Sequence, residues 1–138
     1  MTAFPLDFRS LTLRRRPNRF LMLPDGFEGA AEAHAVSPVF GVAPAKLLDA
    51  ARRVFSGQPR TALVHEDQTA GQIELVQRSA LFRFPDRITV EAVAAGKGKS
   101  ALAIYSRSKL GYRDFGVNAA RVTAWLKLLE TGLAAGKG

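Results

Sequence analysis

Two segments of the chain have the apolar spacing of amphipathic helices. From Ala43 onward, apolar residues recur at intervals of three and four positions, Pro44 suits the first helical turn, and Gly57 follows the last apolar position. A second stripe of this kind runs through residues 116–133. The pattern therefore predicts one helix between Ala43 and Gly57 and a long C-terminal helix.

Between the two helices, apolar and polar residues alternate with a period of two. Four segments show this alternation and are separated by short, partly glycine-containing turns: residues 61–67, 71–79, 87–95 and 100–107. Connections this short join antiparallel strands. One face of the sheet should therefore be buried, and the other should carry a mixed set of side chains: Glu74, Val76, Arg78, Thr89, Glu91, Val93, Tyr105 and Arg107.

The first 43 residues have little periodicity and contain four of the seven prolines. Each proline removes a backbone donor and disfavours helix at the preceding residue. We therefore expect residues 1–43 to be an extended N-terminal arm packed on a domain formed by residues 44–138. The predicted fold is α+β: a four-stranded antiparallel β-meander, preceded by one helix and covered by the long C-terminal helix.

Composition narrows the classes of function. The 138 residues include no cysteine and only two histidines, which excludes disulfides and makes a thiol nucleophile or a zinc site untenable. No apolar run reaches the roughly 18 to 20 residues that span a bilayer, and the N-terminus lacks the features of a signal peptide. We expect a cytoplasmic protein with no transmembrane segment, no metal and no cofactor.

Positive charge is concentrated in parts of the chain. The net charge is +8, and residues 97–113 contain five basic residues and no acidic one. Such a field attracts phosphate groups, anionic lipid or acidic partners. Nucleic-acid binding is less expected, because the sequence shows no helix-turn-helix, no zinc finger and no pair of base-stacking aromatic strands.

The loops after the second and fourth predicted strands hold the candidate chemistry. In a meander these strands run in the same direction about 10 Å apart, so both loops leave from one end of the sheet. Their guanidiniums, hydroxyls and carboxylates are the parts of an anion site. We expect non-catalytic binding of a small anionic ligand, an anionic lipid head group or an acidic protein partner. The candidate ligand-binding residues are Arg78, Ser79, Arg83, Asp86, Tyr105, Ser106, Arg107, Ser108, Tyr112, Asp114 and Asn118.

Two alternatives stand beside that hypothesis. Asp86 and Asp114 could pair with arginines of the same loops, forming an internal ionic lattice in a structural or protein-interaction domain. Either carboxylate could instead be the base of an enzyme, although nearby arginines would make it a poor general acid. A Ser-His-Asp triad is not expected, because His65 leads into a turn at the opposite end of the sheet from the serines.

The same loops resemble a known family. In order along the chain, the matching motifs are Val76-Gln77-Arg78-Ser79, Phe82-Arg83-Phe84-Pro85-Asp86, Tyr105-Ser106-Arg107-Ser108, Gly111-Tyr112, Asp114-Phe115-Gly116-Val117-Asn118 and Arg121. They resemble the signature of the domain of unknown function 1499 family, and Arg16-Pro17-Asn18 and Ser37-Pro38-Val39-Phe40 resemble its first part. The resemblance covers about residues 16–130. The family has no established activity, so the resemblance implies no mechanism.

Overall fold

The computed structural model describes residues 4–11, 18–29, 31–108 and 116–135. Within these ranges the chain forms two helices and one mixed sheet of seven strands, an α+β fold. The strands are β1 Arg19–Pro24, β2 Ala35–Ser37, β3 Val39–Phe40, β4 Thr61–Asp67, β5 Gln72–Arg78, β6 Pro85–Ala94 and β7 Ser100–Ser108. The helices are α1 Pro44–Ser56 and α2 Val117–Ala135.

The four strands predicted from the alternating pattern are β4 to β7, and they pair antiparallel in chain order. The full strand order is β2-β1-β7-β6-β5-β4, with β3 also paired to β7. The register sets Arg78 opposite Pro85 and Asp86 opposite Ser108. The ends of β5 and β7 therefore lie at the same end of the sheet, as the meander predicts.

The sheet is larger than the predicted four strands, because the first 43 residues supply β1, β2 and β3. β1 pairs antiparallel with β7 and parallel with β2, which makes the sheet mixed. Its three central residues, Leu21, Met22 and Leu23, are all buried. A strand covered on both faces reads as a continuous apolar run without alternation. The predicted α+β fold is therefore confirmed, but the sheet is mixed and has seven strands, whereas the alternating pattern predicts a four-stranded antiparallel meander.

The two faces of the sheet have different covers. On the helix face, α1 and α2 pack over the apolar side chains of β5, β6 and β7, and Phe55 stacks on Trp125 with ring centroids 5.0 Å apart. On the opposite face, which we call the arm face, residues 4–11 pack against β1 and β7 through Leu6, Phe8 and Leu11. The predicted mixed face is this arm face: Glu74, Thr89, Tyr105 and Arg107 are buried on it, whereas Arg78 is exposed.

Both predicted helices are confirmed. α1 begins at Pro44 after an extended Ala43 and ends before Gly57, and α2 begins at Val117. The close approach of the helices leaves little space between them: a Cβ at Gly132 would lie 3.3 Å from Val54. Among the described residues, neither helix combines the length and apolarity that crossing a bilayer requires.

Candidate functional site

The candidate residues of β7 divide between the two faces of the sheet, because successive side chains of a strand point to opposite sides. Ser106 bonds to Asn118 of α2 on the helix face. On the arm face, Tyr105 packs against apolar side chains that include Phe8 and Leu21, and the guanidinium of Arg107 lies over the Tyr105 ring. Two separate polar clusters therefore form at this end of the sheet, where the sequence hypothesis placed one site.

The helix-face cluster consists of Gln77, Asp86, Ser106, Asn118 and Arg121, and it is centred on Arg121 of α2. The guanidinium donates through Nη2 to Asp86 Oδ2 at 2.7 Å and through Nη1 to Ser106 Oγ at 3.0 Å. It also donates to Asn118 Oδ1 at 2.8 Å and, through Nε, to Gln77 Oε1 at 2.5 Å. The side chains of Arg121 and Asp86 are only 7% and 14% exposed. This ion pair is therefore largely screened from water.

Asn118 extends this network to the start of the sheet. Its Nδ2 donates to Ser108 Oγ at 3.0 Å and to the carbonyl oxygen of Asn18 at 3.1 Å. That same carbonyl accepts from the backbone N–H of Ser108 at 3.0 Å. The first turn of α2, the end of β7 and the residue before β1 are thus joined by one set of hydrogen bonds.

The arm-face cluster consists of Arg19, Glu74, Arg87, Thr89, Tyr105 and Arg107. Its centre is Glu74, whose side chain is 3% exposed. The carboxylate accepts from Arg87 Nη1 at 2.9 Å, from Thr89 Oγ1 at 3.1 Å and from Arg107 Nη2 at 3.4 Å. Three donors on neighbouring strands therefore satisfy a carboxylate that would otherwise be costly to bury.

Arg107 is held on several sides. Its Nη1 donates to Thr89 Oγ1 at 2.8 Å and to the carbonyl oxygen of Tyr105 at 3.0 Å, and its guanidinium lies 4.6 Å from the centroid of the Tyr105 ring. Burial lowers the pKa of Arg107, and the charge of Glu74 acts in the opposite direction. An arginine remains protonated in proteins, so Arg107 serves as a buried cation.

Arg19 joins the arm-face cluster from β1. Its Nη1 donates to the Tyr105 hydroxyl at 2.7 Å, and the register sets Arg19 directly opposite Arg107. The arm-face cluster therefore contains three guanidiniums and one carboxylate, whereas the helix-face cluster contains one of each.

The β5–β6 loop, which we call the 79–84 loop, stands apart from both clusters. Ser79 and Phe84 close it: Ser79 N–H donates to the Phe84 carbonyl at 3.0 Å, and Phe84 N–H donates to Ser79 Oγ at 3.0 Å. Arg83 adopts φ 61°, in the left-handed region that disfavours residues with a Cβ. Its carbonyl accepts from Arg78 Nη1 at 3.2 Å. The loop therefore has a defined conformation of its own.

The surface of the 79–84 loop is both apolar and basic. Leu81, Phe82 and Phe84 are 79%, 66% and 46% exposed, and the two phenyl rings stack with centroids 5.4 Å apart. Arg78 and Arg83 are exposed beside them. Within the part of the chain that the structure describes, no ion pair includes either arginine.

A third arginine approaches the loop from the turn before β4. Arg60 is exposed, and its Nε donates to the carbonyl oxygen of Arg78 at 2.9 Å. A backbone hydrogen bond joins the same two residues, from Arg78 N–H to the Arg60 carbonyl at 3.0 Å. Three exposed guanidiniums therefore accompany the three exposed apolar side chains of this loop.

The eleven predicted site residues fall into three groups. Arg78, Ser79 and Arg83 belong to the exposed 79–84 loop or its base. Tyr105 and Arg107 belong to the arm-face cluster, and the helix-face network contains Asp86, Ser106, Ser108 and Asn118. The remaining two, Tyr112 and Asp114, lie outside the described residues.

The sequence hypothesis left Glu74, Thr89 and Arg121 out of the candidate site. A signal for each was present. Arg121 follows Asn118 by three positions, which places both on one side of a helix. Glu74, Thr89 and Tyr105 form a cross-strand row in the observed register, and the alternating pattern places all three on the mixed face.

Other places for a ligand lie away from these residues. A cavity of about 270 Å³ lies between α1 and the end of α2, and its lining includes Phe40, Lys46, Arg53 and Leu133 but none of the candidate residues. Within the described ranges, no group of three or more His, Asp or Glu side chains is arranged to hold a metal ion.

Comparison with known proteins gives a family but no activity. A solved structure of a DUF4468 family protein from Bacteroides ovatus ATCC 8483 is similar at 17% sequence identity and a TM-score of 0.29, and the similarity covers 51% of this chain and 50% of that one. A search of curated proteins found no match. Residues 11–129 match the family described as "Protein of unknown function (DUF1499)", as the motifs at the end of the sheet predict, and the chain belongs to that family.

Proposed function

We propose that this domain binds anionic groups without catalysis, and that Arg78 and Arg83 at the 79–84 loop are the residues that bind them. One observation supports this choice above the others. Arg107 and Arg121 are buried and bonded to carboxylates, whereas Arg78 and Arg83 are exposed and pair with no carboxylate among the described residues. Within the described part of the chain, an incoming phosphate or carboxylate therefore displaces no ion pair of these two arginines.

The loop holds its donors in place before a ligand arrives. One N–H of the Arg78 guanidinium is bonded to the Arg83 carbonyl, which leaves most of its five donors for an anion. The Ser79 hydroxyl accepts from Phe84 N–H, so its own hydrogen is free to point outward. Donors that are already ordered lose less conformational entropy on binding. This arrangement suits a phosphate or carboxylate group.

The two buried clusters favour the structural alternative for their own members. An anion at Arg107 would compete with Glu74 and Thr89 for the same guanidinium. Asp86 is bound by Arg121, so the hypothesis that it acts as a base gains no support from the geometry. We propose that these clusters fix the end of the sheet and thereby the base of the 79–84 loop.

The test is an NMR titration of the ¹⁵N-labelled protein with inorganic phosphate and with glycerol 3-phosphate. The chemical shifts of the backbone amides and of the arginine Nε–H groups report binding. We expect saturable changes confined to residues 78–84, which disappear in Arg78→Ala/Arg83→Ala. The matched control is Lys97→Ala/Lys99→Ala, which removes two exposed cations from the opposite end of the sheet. Saturable changes that centre on Lys97 and Lys99, or no saturable change at all, would overturn the proposal.

A further inference from the structure

We infer that the 79–84 loop docks the domain on the surface of an anionic lipid bilayer, with Leu81, Phe82 and Phe84 entering the interface and the arginines bonding to lipid phosphates. This inference rests on the proposed anion binding and names its source. It goes further, because it gives a role to the apolar side chains, which a soluble phosphate does not use.

The exposed apolar side chains of the 79–84 loop support insertion into a bilayer surface. Three of four consecutive loop positions, 81, 82 and 84, carry large apolar groups that are at least 46% exposed. Scattered apolar residues are ordinary on a protein surface, but a contiguous cluster at the tip of a loop marks an interaction surface. The loop is closed by hydrogen bonds between its own residues, so these side chains are not needed to maintain its conformation.

The positive charge near the apolar side chains indicates that the partner surface is anionic. Arg60, Arg78 and Arg83 are all exposed around this apolar tip. The nearest acidic residue along the chain, Asp86, is bound to Arg121 on the helix face. An apolar tip with exposed cations on the same loop and at its base complements an interface that has anionic groups outside and hydrocarbon inside.

The geometry of a bilayer surface fits side chains of these types. Phenyl and leucyl groups gain free energy by leaving water at the boundary of the acyl chains. Arginine side chains extend from an apolar environment to keep their guanidiniums among the phosphates. Because the loop is closed by its own hydrogen bonds and Phe82 stacks on Phe84, the apolar groups enter together with little further ordering.

The chain contains a matched comparison at the other end of the sheet. The β6–β7 hairpin presents Lys97 and Lys99, both exposed, and its turn, residues 95–99, contains no large apolar side chain. It offers positive charge alone. If charge were sufficient for binding, this hairpin and the 79–84 loop would attract a vesicle similarly; if insertion matters, only the 79–84 loop binds it firmly.

The experiment is co-sedimentation with vesicles made of equal parts phosphatidylglycerol and phosphatidylcholine, and with vesicles of phosphatidylcholine alone. We expect binding to the first kind only. Phe82→Ser should lower the partition coefficient by about tenfold, because a buried phenyl group is worth more than 1.4 kcal/mol. Arg78→Glu/Arg83→Glu should lower it at least as much. The controls, Leu128→Ser on α2 and Lys97→Glu/Lys99→Glu, should change it far less.

A second measurement tests insertion directly. Phe82→Trp should be quenched by brominated lipid in phosphatidylglycerol vesicles, whereas Leu128→Trp should not. The native Trp125 is 5% exposed and provides the same background in both proteins. Binding that Phe82→Ser does not weaken, or binding without quenching at position 82, would overturn insertion.

The outcomes separate this inference from the proposed function. Phosphate-dependent shifts at residues 78–84 without vesicle binding would overturn the membrane inference and leave anion binding standing, with an acidic protein as the partner to seek. Absence of both would overturn the two together. Vesicle binding that Lys97→Glu/Lys99→Glu reduces as strongly as Arg78→Glu/Arg83→Glu would show a general charge effect and overturn the assignment to this loop.

Discussion

Arg121 and Arg78 lie at the same end of one sheet, yet their surroundings differ in almost every respect. Arg121 donates to four side chains and is 7% exposed, whereas Arg78 is exposed and its guanidinium bonds to one backbone carbonyl. A guanidinium that has already replaced its water with protein acceptors stabilises the fold. One that keeps its water remains available to a ligand. Residue type alone does not separate these roles.

The two buried clusters also differ from each other. On the helix face, one guanidinium faces one carboxylate, and amide and hydroxyl groups complete the network. On the arm face, Glu74 faces both Arg87 and Arg107, so losing one cation leaves a second in place. We therefore expect the helix-face cluster to be the more sensitive to a single substitution.

The largest expected effect is that of Arg121→Ala. The substitution leaves the Asp86 carboxylate without its cation and takes one donor from each of Gln77, Ser106 and Asn118, so unfolding should become easier by about 3–5 kcal/mol. Urea denaturation measures the change. Lys127→Ala, which removes an exposed cation from the same helix, is the control and should alter stability by less than about 0.5 kcal/mol.

The double variant Arg121→Ala/Asp86→Ala sharpens that prediction. Removing both charges takes away the unpaired buried carboxylate, so the double variant should be more stable than Arg121→Ala alone. If Arg121→Ala behaved like Lys127→Ala, the helix-face cluster would not be the structural lattice described above, and Arg121 would belong with the cations available to a ligand.

Arg107→Ala should have a smaller effect, about 2 kcal/mol. Thr89 and Glu74 each lose a charge-assisted partner, but Arg87 continues to bond to the carboxylate. Arg87→Ala is the comparison, and it should cost less because that side chain is 32% exposed. The same denaturation curves measure both. Unchanged stability in Arg107→Ala together with a lost response to phosphate would contradict the structural role and make Arg107 a ligand residue.

Asn118→Ala comes next, at about 1.5 kcal/mol. The buried amide accepts from Ser106 and Arg121 and donates to Ser108, so its removal takes one hydrogen bond from each of these three side chains. Thr123→Ala removes a side-chain hydrogen bond from an exposed position of the same helix and should change stability much less. Equal effects of the two substitutions would show that the bonds of Asn118 add nothing to those of an exposed position.

Elements with a regular apolar period could be predicted from the sequence, whereas features that depend on tertiary packing could not. The periods of 3.6 and 2.0 were sufficient for α1, α2 and the strands β4 to β7. β1 was missed because both of its faces are buried, which removes the alternation. The meander also brought the ends of β5 and β7 together correctly.

The sequence alone could have shown that the candidate residues divide between the two faces of the sheet. Ser106 and Arg107 are consecutive residues of one strand, so their side chains point to opposite faces. The sequence does not show which arginine pairs with each carboxylate. Asp86 pairs with Arg121, 35 positions away, because α2 packs on that face of the sheet and Arg121 is one turn from Asn118. Only the docking angle of the helix decides that pairing, and no local pattern encodes it.

The smallest effects on stability are expected at the 79–84 loop. Arg83 adopts φ 61°, so Arg83→Gly relieves the left-handed strain but gives the unfolded chain more freedom. These terms oppose each other, and the net change should be within about 0.5 kcal/mol, as it should for Arg78→Ala at an exposed position. Both variants should nevertheless lose most of the phosphate-dependent shifts at residues 78–84. If Arg78→Ala lowered the free energy of unfolding by more than 1 kcal/mol, Arg78 would be a structural residue like Arg107 and Arg121. The contrast between buried, structural arginines and exposed, binding arginines would then be wrong for the residue on which the proposed anion site depends.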